Sequence, residues 1–447
     1  MQMNLNKQSI VKMSWPIFIE VFLQLMVGNI DQFMISQYSQ PSVAAVGNGN
    51  QIMNVIIILL TVMCMATTIL LTQYLGSKNH KKISEIFTVS LAMNGIFGLV
   101  ASILLITFQE PMFHWLQVPE SIMPETSTFF TIYAGGIVFQ ALYFSFIACF
   151  RSYSLMKTTM IVSSIMNIFN ICGNYLLIYG FGSVPALGVM GVAISTNISK
   201  VLGLIIIYYL FRKNLDVEIS WKYLKPFPWE SIKKILSIGI PTGGEALSYQ
   251  LSQTTIMKMV NVFGLVVINT KVYVYILLMF AYVYSLAISA AMQVVVGYLI
   301  GAGKYDEVKQ RVWYTVRIAV TIAVGMIIIL YFSSDYVLGI FTKDPEILAL
   351  GKQILFVDIF LEIGRSINIT MVRALQATGD IKMPVVVGII SMWSTAVGLA
   401  YFFGIVMGMG LVGIWIGMAA DECVRAVIFV YRWHSGAWKN KKLMGTV

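Results

Sequence analysis

The sequence predicts an all-α polytopic membrane protein, with twelve transmembrane helices arranged as two pseudo-symmetric six-helix lobes. Composition, run length and an internal repeat carry that expectation. Of the 447 residues, 58% are hydrophobic and 11% charged, where an ordinary soluble domain is about 25% charged. Too few polar groups exist to keep the surface of a soluble fold wet. Apolar runs long enough to cross a bilayer recur from end to end, such as VIIILLTVMCMATTILL at 55–71 and GLIIIYYLF at 203–211. They are continuous, without the alternation that an outer-membrane barrel strand shows. The two halves echo each other at a shift of about 222 to 225 residues.

The first span is expected at 14–36, after a start whose Lys7 and Lys12 suit the cytoplasmic side. No cleavable leader is expected, because no small-residue cleavage site follows the apolar run. The second span, 49–74, is built on the 55–71 run, and the third, 85–109, follows Lys78, Lys81 and Lys82. The fourth, 128–150, stops at Arg151; the fifth, 158–180, follows Lys157; the sixth, 187–211, stops at Arg212 and Lys213. Residues 1–211 are thus the expected N-lobe, 212–235 a charged cytoplasmic connection, and 236–447 the C-lobe with a basic tail. The C-lobe spans are expected at 236–262, 267–298, 309–331, 350–371, 383–405 and 408–431.

Loop charge orients these spans. One side collects the lysines and arginines named above, with Lys222, Lys225, Lys233, Lys234, Lys304, Lys309, Arg311, Arg373, Lys382, Arg432, Lys439, Lys441 and Lys442. The opposite loop 110–127 carries only Glu110, Glu120 and Glu125. That asymmetry places both termini in the cytoplasm, and the short loops suit a bacterial plasma (inner) membrane. The net charge of +10 is topogenic and attractive to anionic membrane lipids, and no nucleic-acid partner is expected. Cys64, Cys149, Cys172 and Cys423 have no metal spacing and read as packing residues.

The repeat pairs LGVMGVAIS at 187–195 with LVGIWIGMAA at 411–420, and WPIFIE at 15–20 with IPTGGE at 240–245, so that Pro16 and Glu20 stand over Pro241 and Glu245. Arg151 stands over Arg373, and YLGSK at 74–78 over YLIGAGK at 298–304. Six spans plus six keep one orientation, the parallel repeat common in two-lobed transporters. A channel would show a pore loop or a ring-forming motif, and a self-contained ATP-driven pump a GxxxxGK[ST] stretch; neither is visible. The expectation is a transporter, not an enzyme, and no cofactor.

A charged side chain in hydrocarbon costs about 2.5–3.5 kcal/mol at a helix centre on insertion scales, so those that occur inside spans mark candidate sites. Asp31 lies two-thirds along the first span with Asn29 and Gln32 but no cation nearby. Such a carboxylate can change protonation state or hold a monovalent cation; a structural pair across helices is the plainer alternative. Asn170 and Asn174 form a polar face on the fifth span, as helix glue or as ion ligands. Glu20 and Glu245 each follow a proline by four residues, and Gly243 and Gly244 leave room beside Glu245. Asp358, Glu362 and Arg365 share a helix face, followed by Asn368, as an ion-pair stripe or a site. Tyr249, Gln250, Gln253 and Lys258 are further candidates for a cavity wall, and Lys200 is expected to pair with a carboxylate. Asp421, Glu422 and Arg425 read as a helix–helix salt network. The 27 methionines, 22 tyrosines and 26 phenylalanines suit a cavity adaptable to varied amphipathic molecules.

Together these features resemble the multidrug and toxic compound extrusion (MATE) transporters, in their NorM-like and DNA-damage-inducible (DinF-like) prokaryotic branches. The resemblance rests on NIDQFMISQYSQPSVAAVGNGNQI at 29–52, NICGNYLLIYG at 170–180, GIPTGGE at 239–245 and EIGRSINITMVRALQATGD at 362–380, and covers nearly the whole chain. It implies a MATE-like fold and export of organic cations or other amphipathic compounds in exchange for H⁺ or Na⁺. By the resemblance Asp31 is the N-lobe ion-linked aspartate and Asn170 its polar partner. Asn174 stands where archaeal members of the DinF-like branch have aspartate, a departure that separates their protonation scheme from this chain. Glu245 falls on the C-lobe glutamate of the NorM-like branch, and Glu362 at or beside a C-lobe aspartate.

The expected function is therefore a secondary active antiporter for multidrug efflux, working by alternating access as a monomer. Na⁺, if it is the ion, is expected near Asp31 or near Glu245 and Glu362. The alternative is a flippase for a lipid or lipid-linked precursor, which would need Lys200, Lys258 and Arg365 to line a cationic cavity with the acids facing away. A membrane scaffold without transport explains the spans but not the inward carboxylates.

Overall fold

In the computed structural model, residues 7–182, 185–441 and 443 are described. The expected tail residue Lys442 lies outside them, and of Lys7 only its place in the first helix is described. The elements are α1 (Lys7–Tyr38), α2 (Gln40–Gly76), α3 (His80–Thr107), the short α4 (Gln109–Trp115), α5 (Met123–Gly135), α6 (Ile137–Ser152), α7 (Met156–Tyr179) and α8 (Val189–Asn214). There follow α9 (Trp229–Asn261), α10 (Leu265–Gly301), α11 (Tyr305–Phe332), the short α12 (Ser334–Leu338), α13 (Pro345–Thr378), α14 (Lys382–Val406) and α15 (Gly410–His434). Each expected span has one counterpart, with α5 and α6 forming a single span bent by 42°. Eight of the helices, or nine with that bent pair, are long and apolar enough to cross a membrane on composition alone. The other three spans, α9, α13 and α15, carry the ionisable residues that lower their hydropathy.

Most helices run past the apolar windows that mark them, because hydropathy reports hydrocarbon thickness and not helix length. The largest difference is at 37–48, expected as a loop. There α1 and α2 are separated by Ser39 alone, with extended backbone, and a proline in the first turn of α2, where its missing N–H costs nothing. Elsewhere the ends follow local chemistry. Asn79 caps α3 by accepting from the Lys82 N–H, and Asp344 caps α13 through the Glu346 N–H. Gly379, at φ 97°, closes α13 in the left-handed conformation. The break at Gly136 is held by Asn197, whose side chain donates to the Ile132 carbonyl. A Cβ at Gly136 would stand 1.9 Å from that amide oxygen, so only glycine admits the amide there.

The chain divides into two compact units. One is Ile19–Gly239; the other joins the chain up to Phe18 with Ile240 onward. The divisions fall inside α1 and α9. In the first unit α3 packs on α6, α7 on α8, and α2 on both α5 and α6. Its cores gather Met53, Leu60, Phe113 and Phe130, and separately Ile35, Ile178 and Val192. The first turns of α9 belong here: Ser231 donates to Glu85 at 2.6 Å and Lys234 to the Tyr74 hydroxyl at 3.1 Å. In the second unit α13 is central, packed on α10, α11 and α15. Its core includes Ile256, Val274, Leu361, Ile414 and Trp415. The start of α1 belongs here, with Trp15 and Phe18 edge-on to Tyr284 at 5.8 and 6.1 Å. α14 widens into π-helical turns at Met392–Val397 and Ala400–Val406, where α15 presses closest. A Cβ at Gly417 would lie 2.4 Å from the Ala400 nitrogen.

Candidate functional site

In the first unit, α1 and α7 meet through their polar residues. Asn174 donates to the Asp31 carboxylate at 2.6 Å. Five residues along α7, the Tyr179 hydroxyl donates to the Met34 carbonyl at 2.6 Å, so two bonds set the register of the helices around Asp31. Asn174 is fully buried, and its side-chain oxygen has no hydrogen-bond partner among the described residues. One turn earlier Asn170 donates to Thr196 of α8 at 3.3 Å, while Ser195 donates to the Asn170 carbonyl at 3.0 Å. Gly173 permits that approach, since a Cβ there would stand 2.5 Å from the Ser195 oxygen. Asp31, Asn174, Asn170 and Thr196 thus form one polar seam over three helices.

Two residues join the seam that sequence reasoning did not place. Tyr133 of α5 lies within electrostatic reach of Asp31. The Lys200 ammonium rests on the face of its ring, 3.9 Å from the centroid. The expected carboxylate partner of Lys200 is absent: among the described residues no acid lies at ion-pair distance from it. The aromatic face takes that place because α8 turns Lys200 toward α5. Thr196 precedes Lys200 by one helical turn and so shares its face; that spacing was the available signal.

Glu20 lies apart from the seam. It is 1% exposed and ion-paired to Arg151 at 3.1 Å, with the Thr159 hydroxyl donating to its other oxygen at 3.2 Å. Arg151, read from the sequence as a loop charge, lies in the last turn of α6 and reaches inward to this acid.

In the second unit α13, α14 and α15 bring together a dense set of charges. Arg365 donates to Glu362 and stands 3.9 Å from Glu422. Arg425 donates to Asp421 and pairs with Glu422 at 3.1 Å. Asn368 donates to Glu422 at 2.6 Å, Ser391 to Asp421, and the Trp415 indole to Asp358 at 2.8 Å. The salt network expected of Asp421, Glu422 and Arg425 is present and extends to the Glu362–Arg365 pair. Four carboxylates meet two guanidinium groups. One oxygen each of Asp358 and Glu362 is buried with no hydrogen-bond partner among the described residues. A surplus of buried acid of this kind is stabilised by a proton or a bound cation.

Glu245 stands beside that network, within electrostatic reach of Arg425 and Arg373. It packs where Gly388 of α14 leaves space: a Cβ there would lie 2.8 Å from a Glu245 oxygen. The repeat-related pairs therefore differ. Glu20 is clamped by Arg151, whereas Arg373, its counterpart, donates to Gln293 at 3.2 Å and Glu245 has no ion pair among the described residues. Tyr249, one turn on from Glu245, lies within electrostatic reach of Arg365 and Glu422, and Tyr282 of α10 lies under Arg365, 5.8 Å from its ring centre. Gln250 and Lys258 are exposed and Gln253 half-buried on α9, and among the described residues none forms a side-chain hydrogen bond or ion pair with the network. Among the described residues no group of three or more His, Cys, Asp or Glu side chains converges as a metal centre.

Known proteins place this architecture. The MatE family model matches the chain twice, over residues 16–176 and 241–402, one match in each half, at the offset of the repeat. A curated relative named "Uncharacterized transporter YisQ", from Bacillus subtilis, is 39% identical over 433 residues, covering 97% of this chain and 95% of that protein. "Probable multidrug resistance protein NorM" from Thermotoga maritima is 26% identical, with 98% and 94% covered. A solved outward-facing structure of a multidrug resistance MATE family transporter of the MOP superfamily superposes with a TM-score of 0.89 at 20% identity, covering 97% of this chain and 96% of that one. Twelve spans in two six-helix lobes, the doubled family match and the near full-length relatives agree: the chain is a multi-pass membrane protein of the MatE family, the multidrug and toxic compound extrusion transporters.

Proposed function

We propose that this transporter is a secondary active antiporter, exporting cationic or amphipathic organic compounds in exchange for H⁺ or Na⁺ by alternating access. One observation carries the reading. Asp31 sits inside a span with a neutral amide as its hydrogen-bond partner, so it is free to gain and lose a cation. The buried acid surplus around Glu362, with Glu245 beside it, offers a second place for the same exchange. Coupling requires only that ion and substrate each alter the other's binding free energy. Relatives named as probable multidrug resistance proteins support the substrate class.

In this reading residues 1–211 and 236–447 act as the lobes and 212–235 as their connection. The monomer is the working unit, lying in a bacterial plasma membrane with both termini cytoplasmic. The flippase alternative loses support from the geometry. Arg365 is held by Glu362, Lys258 is exposed and forms no ion pair among the described residues, and the acids stand among the basic groups instead of facing away.

The test is efflux of a fluorescent organic cation from proteoliposomes under separately imposed proton and sodium gradients. The reading expects one gradient to drive export. No export under either gradient by folded protein would overturn it.

A further inference from the structure

The stretch from Leu215 to Trp229, which joins α8 to α9, is fastened to the first unit yet leaves its largest side chains uncovered. Leu215 and Val217 are buried. The Glu218 N–H donates to the Ser84 hydroxyl at 3.1 Å, and the Thr88 hydroxyl donates to the Glu218 carbonyl at 3.4 Å, so the extended start is held along α3. A short helical turn, Trp221–Leu224, follows, capped by the Ser220 side chain. Trp221 is 83% exposed, Phe227 72% and Trp229 62%; the rings of Phe227 and Trp229 stack on each other, their centres 6.4 Å apart. Leaving three such rings in water forgoes the free energy of burying them. Both ends of the stretch continue into spans, so the rings stand at the membrane–water boundary, the depth that amphipathic aromatics favour. The charges point to the same surroundings. Arg212, Lys213, Lys225 and Lys233 are exposed, and among the described residues none of them forms an ion pair. Glu218 holds Lys222 and Glu230 holds Lys234, each at 2.7 Å, which leaves Asp216 as the one acid of the stretch outside an ion pair among the described residues. Exposed rings beside cations without counter-charge match a surface that is apolar below and anionic above. A bilayer is already in place at both ends of the stretch, so docking there gives up no translational freedom.

We propose that residues 212–233 form a docking surface for anionic phospholipid headgroups, with Trp221, Phe227 and Trp229 seated at the interface and Arg212, Lys213, Lys225 and Lys233 against the lipid phosphates. The proposal does not depend on the antiport reading, and its test involves no transport. The full chain, one copy per nanodisc, carries a spin label at Leu224→Cys, with Cys64, Cys149, Cys172 and Cys423 replaced by alanine. Nanodiscs of phosphatidylcholine alone are compared with nanodiscs containing about one-third phosphatidylglycerol, enough to set a negative surface potential. In the anionic discs the label should gain collisions with oxygen and lose collisions with a water-soluble nickel chelate. Lys213→Gln/Lys225→Gln/Lys233→Gln should remove that difference, because each neutralised charge weakens the attraction about fivefold. Trp221→Ser/Phe227→Ser should leave the label in water in both kinds of disc. A label equally wet in both lipids, as a surface kept for a soluble partner or a second copy would show, overturns the proposal. So does a label equally shielded in both, or a lipid difference that survives either set of substitutions. If the cysteine-free chain does not fold, chymotryptic cleavage after Tyr223 in the parent decides: it should be slower in the anionic discs, and equal rates overturn the proposal.

Discussion

Replacing Arg151 by methionine tests whether Glu20 serves structure or transport. The Arg151 guanidinium lies 3.1 Å from a Glu20 carboxylate that is almost wholly buried, while the arginine itself keeps a quarter of its side-chain exposure. At that separation, with an effective dielectric of about 20, the gross Coulomb attraction is about 5 kcal/mol. Desolvation of both groups removes much of this. What remains to be measured is the effect of leaving Glu20 with one hydroxyl donor, Thr159. Breaking a buried pair costs about 3–5 kcal/mol, and the partial exposure of Arg151 places this case near the lower end, at about 3 kcal/mol. The double variant Glu20→Leu/Arg151→Met removes both charges and should recover most of the loss, because no uncompensated charge is left inside. Unfolding of the purified parent, both single variants and the double variant in one detergent completes the cycle. The ion that drives efflux should be the same in the double variant as in the parent. A single variant as stable as the parent, or a double variant no better than Arg151→Met, would refute the reasoning.

Three further outcomes follow from the second unit. Gly417→Val places a Cβ 2.4 Å from the Ala400 backbone nitrogen; neither helix can yield there, so folded protein recovered by size exclusion should fall sharply. Gly388→Ala places its Cβ 2.8 Å from a Glu245 oxygen; the carboxylate can swing aside, so the protein should fold while efflux falls, and Glu245→Gln should lower it to a similar extent. Trp415→Phe removes the donor to Asp358 and should lower stability by about 1–3 kcal/mol, the cost of a buried acceptor left unpaired, with Asp358→Leu restoring part of it in the double variant.

Much of this architecture was legible because membrane helices announce themselves one at a time. Each apolar run marks a span without reference to any other, and the repeat carries the assignment across α9, α13 and α15, where ionisable and other polar residues depress hydropathy. Local pairs were legible for the same reason: Glu362 with Arg365, and Arg425 with Asp421 and Glu422, are three or four residues apart on one helix. Contacts between helices distant in sequence were not. Asn174 stands 143 positions from Asp31, and no spacing rule reports that one amide caps one carboxylate. Arg151 looked like a loop charge because it ends a span, while its length lets it reach back to Glu20. The Lys200–Tyr133 contact was missed because an aromatic ring replaces the expected acid. The Gly135–Gly136 pair was a visible signal for the bend between α5 and α6, but only the Asn197 amide explains why the bend is held there.

The central claim is that Asp31 couples ion entry to export, and gradient-driven efflux from proteoliposomes with Asp31→Asn beside the parent tests it most directly. The amide keeps the size of the side chain but neither binds a proton nor holds a cation by charge. The account predicts that export driven by the effective gradient is lost in folded Asp31→Asn while the parent retains it. Efflux of equal rate, driven by the same ion in both proteins, would contradict it and move the exchange to Glu245 and Glu362.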